Sequence, residues 1–221
     1  MIDIKKYINE LILLLSQQFE SRLLYVGLQG SYLRQEANDN SDIDIMVIID
    51  NLCVSDLIQY RSVIESIEHA DKACGFICSK EDLANWNPLE ICHLLHSTKD
   101  YYGHLVNFIP AYTDKDTRNF VKLSINNLYH ELCHRYIHAT PQDNECNLTN
   151  SYKSVFFILQ NIFYLNNGYY IDTKAKLLSS LDGLNRDILK RSIELNSGII
   201  HDFDESFELL FSWCQETLKT L

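Results

Sequence analysis

The sequence predicts a chain in two parts, an α/β half followed by an all-helical half. Short runs rich in aliphatic and β-branched residues, which are typical of buried strands, occur before residue 79. After residue 87 the apolar residues recur at the spacing of amphipathic helices. We therefore predict two domains, residues 1–112 and residues 113–221. A chain of 221 residues is long enough for a substantial buried core.

The N-terminal half is predicted to open with a helix and to continue with three strands. An apolar stripe at helical spacing predicts the helix over residues 3–20. Strands are expected over residues 23–28, 43–49 and 73–78, and the second is the strongest because β-branched residues dominate it. Between the second and third strands, Ser55 is expected to cap a helix.

The C-terminal half is predicted to consist of helices. Asp116 is expected to cap the first of them, and a polar loop containing Pro141 should separate it from the second. Gly168 stands where a helix C-terminus favours a left-handed residue. The helices are expected over residues 116–138, 151–167, 173–196 with a break at 182–183, and 203–220.

Composition and charge narrow the class of protein. The net charge is −11, with 19 Lys+Arg against 30 Asp+Glu, which disfavours long nucleic acid as a partner. An acidic chain instead suits cationic small molecules, or a metal-nucleotide held by local positive charges. Apolar runs fall short of the roughly 18 residues of a membrane span, and the N-terminus does not resemble a signal peptide. A cytoplasmic protein without membrane partners is therefore expected.

The cysteines indicate reduced thiols. They are scattered, their number is odd, and no Cys-x-x-Cys pair occurs, so neither a disulfide framework nor a structural zinc site is expected. The seven positions are Cys53, Cys74, Cys78, Cys92, Cys133, Cys146 and Cys214.

The stretch from Gly30 to Asp44 carries the most chemical information. A strand ends at Gly30, which lets the backbone turn sharply and approach a ligand, and Ser31 follows at a place suited to anions. Asp42 and Asp44 enter the next strand, where side chains two apart share a face at about 6–7 Å. Two such carboxylates repel each other unless a cation lies between them, and Mg²⁺ is bound by carboxylates plus substrate phosphates. The pattern predicts in-line attack on an α-phosphate with pyrophosphate leaving.

This stretch resembles the signature of the DNA polymerase β-like nucleotidyltransferase superfamily, in which Gly-Ser is followed after about ten residues by Asp-x-Asp in a hydrophobic strand. Gly30, Ser31, Asp42 and Asp44 match it, and Arg34 lies where members often carry a basic residue. The resemblance implies a nucleotidyltransferase fold with a small mixed sheet, Asp42 and Asp44 as catalytic metal ligands, and nucleotide contacts from Gly30, Ser31 and Arg34. The alternative is a hairpin with Asp42 as a cap and Asp44 as a solvated charge.

A second resemblance lies in the helical half. Residues 154–178 are similar to the helix-Gly-x-Lys stretch of aminoglycoside and lincosamide nucleotidyltransferases, in which the lysine reaches nucleotide phosphates. Lys174 matches that lysine, and residues 98–103 are similar to the Tyr-Gly segment that often follows the catalytic sheet. The alternative places Lys174 in an exposed first helical turn capped by Asp172.

The sequence departs from the superfamily pattern in two places. Gln35 stands where a glycine is usual. Members usually supply a third carboxylate from the strand after Asp-x-Asp, but residues 73–78 contain no acid and Asp71 lies at the start of that segment. A substrate lying between the halves could take its general base from the helical half, where Glu131 is the candidate and Asp71 the next choice.

Histidines are concentrated on one predicted helix. His130, His134 and His138 follow one another at four-residue spacing and share a face. Two of them could bind a metal, but without a further ligand we favour packing roles. His93 and His96 are left without a role.

The function expected from these residues is magnesium-dependent transfer of a nucleoside monophosphate, with AMP favoured, from a nucleoside triphosphate to a hydroxyl of a small molecule such as an antibiotic. The alternative is a nucleotide-binding regulatory or protein-modifying module of the minimal nucleotidyltransferase/HEPN type. HEPN ribonucleases carry Arg and His at a longer helical spacing than Arg135 and His138, which weakens this alternative. The acceptor, the nucleobase and the oligomeric state stay open, with a homodimer as one alternative.

Overall fold

The computed structural model describes residues 2–221, except for the side chain of Cys146. The chain divides into two compact units, the first ending at Ala111 and the second spanning Tyr112–Leu221. The first unit contains α1 (Ile4–Phe19), β1 (Leu23–Leu28), α2 (Gly30–Leu33), β2 (Ile43–Ile49), α3 (Val54–Ser66), β3 (Ala73–Ser79), α4 (Lys80–Ala84), α5 (Pro88–His96) and β4 (Lys99–Tyr102). The second contains α6 (Asp114–His138), α7 (Pro141–Asn167), α8 (Lys174–Ser180), α9 (Gly183–Asn196) and α10 (Phe203–Thr220).

The four strands form one mixed sheet in the order β3-β2-β1-β4. β1 runs antiparallel to β2 and β4, whereas β2 runs parallel to β3. The predicted strands and the mixed character of the sheet are confirmed. In the register of the parallel pair, Asp44 of β2 lies opposite Cys74 of β3.

Alternation along β2 explains where Asp44 points. Ile43 and Ile45 are buried on the face that packs against α1 and α3, and Met46 and Ile48 are buried on the other face. Because successive side chains of a strand point to opposite faces, Asp44 shares the face of Met46 and Ile48. A slip of one residue would turn this carboxylate into the apolar core, so burial of the neighbours fixes its register.

The cap of α3 differs from the predicted one. Cys53, not Ser55, is the N-cap residue, and its N–H donates to the Asp56 carboxylate at 2.9 Å. Arg22 holds the same carboxylate through two hydrogen bonds of 2.6 and 3.0 Å and donates to the backbone carbonyls of Asp50 and Asn51. The prediction of Ser55 was wrong because the cap depends on Asp56. Arg22, distant along the chain, holds this carboxylate where it accepts the Cys53 N–H.

The second unit packs its helices around one core. Buried residues of α6 recur at three- and four-residue intervals and pack with the buried faces of α7, α9 and α10. Trp213 of α10 is 1% exposed and donates from its indole to Asn185 Oδ1 at 2.8 Å. The predicted helical bundle is therefore confirmed. Within residues 2–221, no helix has both the length and the apolarity that a membrane span requires.

Two helix starts in this unit lie earlier than predicted. Thr113 is the N-cap of α6, and Asp116 is the third helical residue, whose carboxylate accepts from the Thr113 N–H at 2.9 Å. α7 begins at Pro141, with Thr140 as its N-cap. The residues predicted to form a loop therefore form the first turns of this helix. Proline fits the first helical position because its missing N–H would have had no partner there. Gly168 ends α7 in the predicted left-handed conformation, with φ of 75°.

Candidate functional site

The carboxylate of Asp44 lies against the turn that follows β1. The backbone N–H of Gln29 donates to the Asp44 carbonyl at 2.8 Å, and the next residue, Gly30, has φ of +69°. A Cβ atom on Gly30 would stand 2.7 Å from Asp44 Cγ and closer still to Oδ2. Both the backbone conformation and the space therefore require glycine at this position. The predicted Gly-Ser turn and the second aspartate are thus in direct contact.

Asp42 and Asp44 differ in their surroundings. Asp42 is exposed and precedes β2, whereas Asp44 is half-buried at the second residue of the strand. Desolvation raises the pKa of Asp44 above its ordinary value, and the negative charge of Asp42 raises it further, against the opposing effects of Cys74 and Arg34. The two carboxylates therefore interact unfavourably in the protein alone, which is the condition that a bound cation relieves.

Ser31 and Arg34 follow the turn on the same short helix. Ser31 lies in the first turn of α2, and Arg34 ends that helix. The guanidinium of Arg34 is mostly buried, and its Nε donates to Glu36 Oε2 at 3.1 Å. Its positive charge lowers the pKa of Asp44, so Arg34 supplies local positive potential to the carboxylate. Its predicted contact with a nucleotide stays a prediction.

Cys74 is the group beside Asp44 that the sequence analysis did not identify. It is exposed, lies opposite Asp44 in the β2–β3 register, and acts on the Asp44 carboxyl as a hydrogen-bonding neighbour that lowers its pKa. Desolvation raises the pKa of the Cys74 thiol, and the charges of Asp44 and Asp42 raise it further. A cysteine in the strand that contains no acid was visible in the sequence, but its pairing with Asp44 depends on the register of two strands.

His93 of α5 is a second residue near this region that had no predicted role. Desolvation lowers its pKa to about 4, with further lowering by the positive charge of Arg34 and by His96. Its imidazole is therefore neutral at pH 7. On the next segment, Thr98 accepts a hydrogen bond of 2.7 Å from the Gln29 side chain, which joins the start of β4 to the turn before Gly30.

Asp71, the second choice for a base, lies in a short 3₁₀ turn that leads into β3. With Tyr32 and Asn38 it lines a cavity of about 260 Å³. The neighbouring Lys72 donates from Nζ to the carbonyl of Asp39 at 2.9 Å, which ties this turn to the loop before Asp42.

Glu131 and Lys174, the other two predicted site residues, belong to the helical unit. Glu131 is on α6 and forms an ion pair of 2.7 Å with Arg135, with 41% of its side chain exposed. Lys174 is the first residue of α8, and its Nζ lies 5.9 Å from the centre of the Phe156 ring. The N-cap of α8 is Thr173, so Asp172 does not have the capping role that the alternative reading gave it. The predicted catalytic and nucleotide contacts of Glu131 and Lys174 stay predictions.

The histidines of α6 do not have the packing role expected of them. His130, His134 and His138 are exposed, with ring centroids 6.1 and 4.9 Å apart along the series. Among the side chains that the structure describes, no three histidine, cysteine, aspartate or glutamate residues form a group able to hold a metal by themselves.

Comparison with known proteins finds a likeness of fold. Neither a protein-family model nor a curated protein matches the chain. Among solved structures it is similar to spectinomycin adenyltransferase AAD(9) from Enterococcus faecialis, crystallised with ATP and spectinomycin. The TM-score is 0.59 and the identity 17%, over 97% of this chain and 99% of the other. This likeness confirms the predicted fold class, a nucleotidyltransferase fold with a small mixed sheet followed by a helical part.

Proposed function

We propose that the chain is a nucleotidyltransferase that transfers AMP from ATP to a hydroxyl group of a small molecule, with magnesium as the metal. The observation that carries the proposal is the contact between Asp44 and the Gly30 turn. It brings a half-buried carboxylate beside a turn suited to phosphate, with a second carboxylate two residues away. The whole-chain likeness to an adenyltransferase fold supports the same reaction.

The donor set of the site fits Mg²⁺. Oxygen ligands from one or two carboxylates, completed by substrate phosphates, are what this ion takes in nucleotide sites. Asp42 and Asp44 would hold it, and the ion would stabilise the negative charge that develops on the transferred phosphoryl group. Gly30 and Ser31 would bind the phosphates through the backbone of the turn, and Arg34 would add positive charge.

The helical unit is proposed to supply the remaining groups. An alcohol has a pKa far above 7 and needs a positioned base to become a good nucleophile. Because β3 contains no acid, we assign that role to Glu131, which is half-exposed and held by Arg135. Lys174 would bind nucleotide phosphates as a point charge.

The proposed acceptor is a cationic antibiotic. The net charge of −11 favours cationic over anionic acceptors. The solved neighbour was crystallised with spectinomycin, which makes this compound the first acceptor to test. A reaction that consumes ATP is consistent with the cytoplasmic location expected from the sequence.

Calorimetry with a non-hydrolysable ATP analogue tests the proposal. Wild-type protein should bind the analogue more tightly with Mg²⁺ than with EDTA, and Asp44→Asn should lose that difference. Asp50→Asn is the matched control, because Asp50 directly follows the other end of β2 and should leave the affinity unchanged. Wild-type affinity in Asp44→Asn would contradict the assigned site. Binding without AMP transfer to any cationic antibiotic would favour the regulatory alternative.

A further inference from the structure

The position of Cys74 is fixed by the pairing of β2 with β3. Residues opposite each other in adjacent strands project to the same face of the sheet, and Cys74 lies opposite Asp44. The next pair is Ile45 and Gly75, where a Cβ atom on Gly75 would stand 2.7 Å from the Ile45 nitrogen. The two backbones therefore approach closely beside the pair, which keeps Cys74 and Asp44 adjacent in the sheet.

The Asp44 carboxylate is restrained on two sides. Its Oδ2 lies against the Cα of Gly30, where any side chain would displace it. On the strand side, Cys74 lies directly opposite Asp44 in the β2–β3 register and projects to the same face of the sheet. A thiol is a donor of one hydrogen and carries no charge in its protonated form, so it can orient the carboxylate without adding to the negative charge of the site.

We propose that Cys74 is a positioning residue of the nucleotidyl-transfer site, whose S–H donates to Asp44 and holds its oxygens in the orientation that binds the metal-nucleotide. The inference rests on the proposed function. This role explains why β3 can carry Cys74 in place of an acid. A neutral donor there would orient Asp44 without adding a third negative charge beside Asp42 and Asp44. In this role Cys74 acts through Asp44 and takes no part in the chemical step, although the bound metal-nucleotide would lie beside it.

Two substitutions separate orientation from structure. Cys74→Ala removes the donor, and Cys74→Ser keeps a hydroxyl donor of similar size. With Mg²⁺ and a non-hydrolysable ATP analogue, Cys74→Ala should bind about tenfold more weakly, a change of about 1.4 kcal/mol, while Cys74→Ser should stay within about threefold of wild type. In EDTA all three proteins should bind equally, and their melting temperatures should agree, since a purely structural role would change both.

Each outcome of this experiment decides something. Absence of Mg²⁺-dependent binding in the wild type would overturn both the proposed function and the role of Cys74. Loss of binding in Asp44→Asn but not in Cys74→Ala would overturn the role of Cys74 alone. Cys74→Ser binding as weakly as Cys74→Ala would rule out the hydrogen bond as the cause.

Alkylation of the wild-type protein gives a test that requires no variant to fold. Cys53 and Cys74 are both exposed, and Cys53 lies at the start of α3, after the far end of β2. With iodoacetamide and peptide mass spectrometry, the Mg²⁺ complex of the analogue should slow labelling of Cys74 several-fold and leave Cys53 unaffected. Equal labelling of Cys74 with and without the complex would overturn the proposal.

Discussion

Replacing Gly30 by alanine should damage the proposed site, and the size of the effect can be estimated from the structure. The residue has φ of +69°, where a non-glycine residue costs about 1–2 kcal/mol. The new Cβ would also overlap the Asp44 carboxylate, and overpacking of this kind costs about 1–3 kcal/mol. We therefore expect Gly30→Ala to lower the free energy of unfolding by about 2–5 kcal/mol and to displace Asp44.

Gly168 provides the matched control for this substitution. Its φ is +75°, close to that of Gly30, but nothing lies within 4 Å of the position of its Cβ. Gly168→Ala should therefore cost only the conformational term of about 1–2 kcal/mol and leave the Asp44 carboxylate in place.

Urea denaturation and calorimetry with the Mg²⁺ complex of the ATP analogue measure the two effects. Gly30→Ala should lose tenfold or more in affinity, an amount equal to about 1.4 kcal/mol or more, because Asp44 can no longer bind the metal. The reasoning is refuted if Gly30→Ala loses no more stability than Gly168→Ala and keeps the affinity of the wild type.

Three further outcomes are expected. Glu131→Gln should lower kcat for AMP transfer about 10²-fold or more with little change in nucleotide affinity, as is usual when a general base is lost. An unchanged kcat would contradict this role and make Asp71 the next candidate for the base. Asp44→Asn should raise the melting temperature of the nucleotide-free protein at pH 7. Because folding raises the pKa of Asp44, its ionised form at pH 7 disfavours the folded state, and asparagine removes that cost. In a calorimetric pH series the gain should vanish below about pH 3.9, where the carboxyl is protonated in both states. Arg22 holds the pKa of Asp56 well below its usual range, so this carboxylate stabilises the protein above about pH 3.9 and loses its effect on further acidification. Asp56→Asn should therefore make stability depend less steeply on pH in acid. An unchanged acid dependence would contradict a contribution from the Arg22–Asp56 pair.

The strands, and the contact of Asp44 with the Gly30 turn, were predictable because their signals are local. β2 has β-branched residues at most of its positions, and the two aspartates follow the Gly-Ser turn at a recognisable spacing. The side-chain alternation of a strand then places Asp44 on the face opposite Ile43 and Ile45 without any knowledge of the rest of the chain.

Two helix starts and the contact between Cys74 and Asp44 were missed, each for its own reason. Thr113 and Asp116 form the two halves of one capping box, and this Thr-x-x-Asp pattern makes the threonine the cap, so our prediction chose the wrong half of a local signal. The capping role of Cys53 depends on Arg22, which is distant along the chain and is brought to the first turn of α3 only by the fold. The pairing of Cys74 with Asp44 is a property of strand register, which no local pattern of either strand specifies.

The positions of the tryptophans give each unit its own fluorescent reporter. The sequence contains two, and each unit carries one. Trp213 is enclosed in the helical core, while Trp86 is only partly buried and stands edge-on to Phe76 of β3, with ring centroids 5.3 Å apart. Their emission should differ in wavelength because the indole spectrum depends on contact with water. Replacing either tryptophan by phenylalanine therefore leaves a chain whose remaining signal reports on the sheet or on the helical core separately.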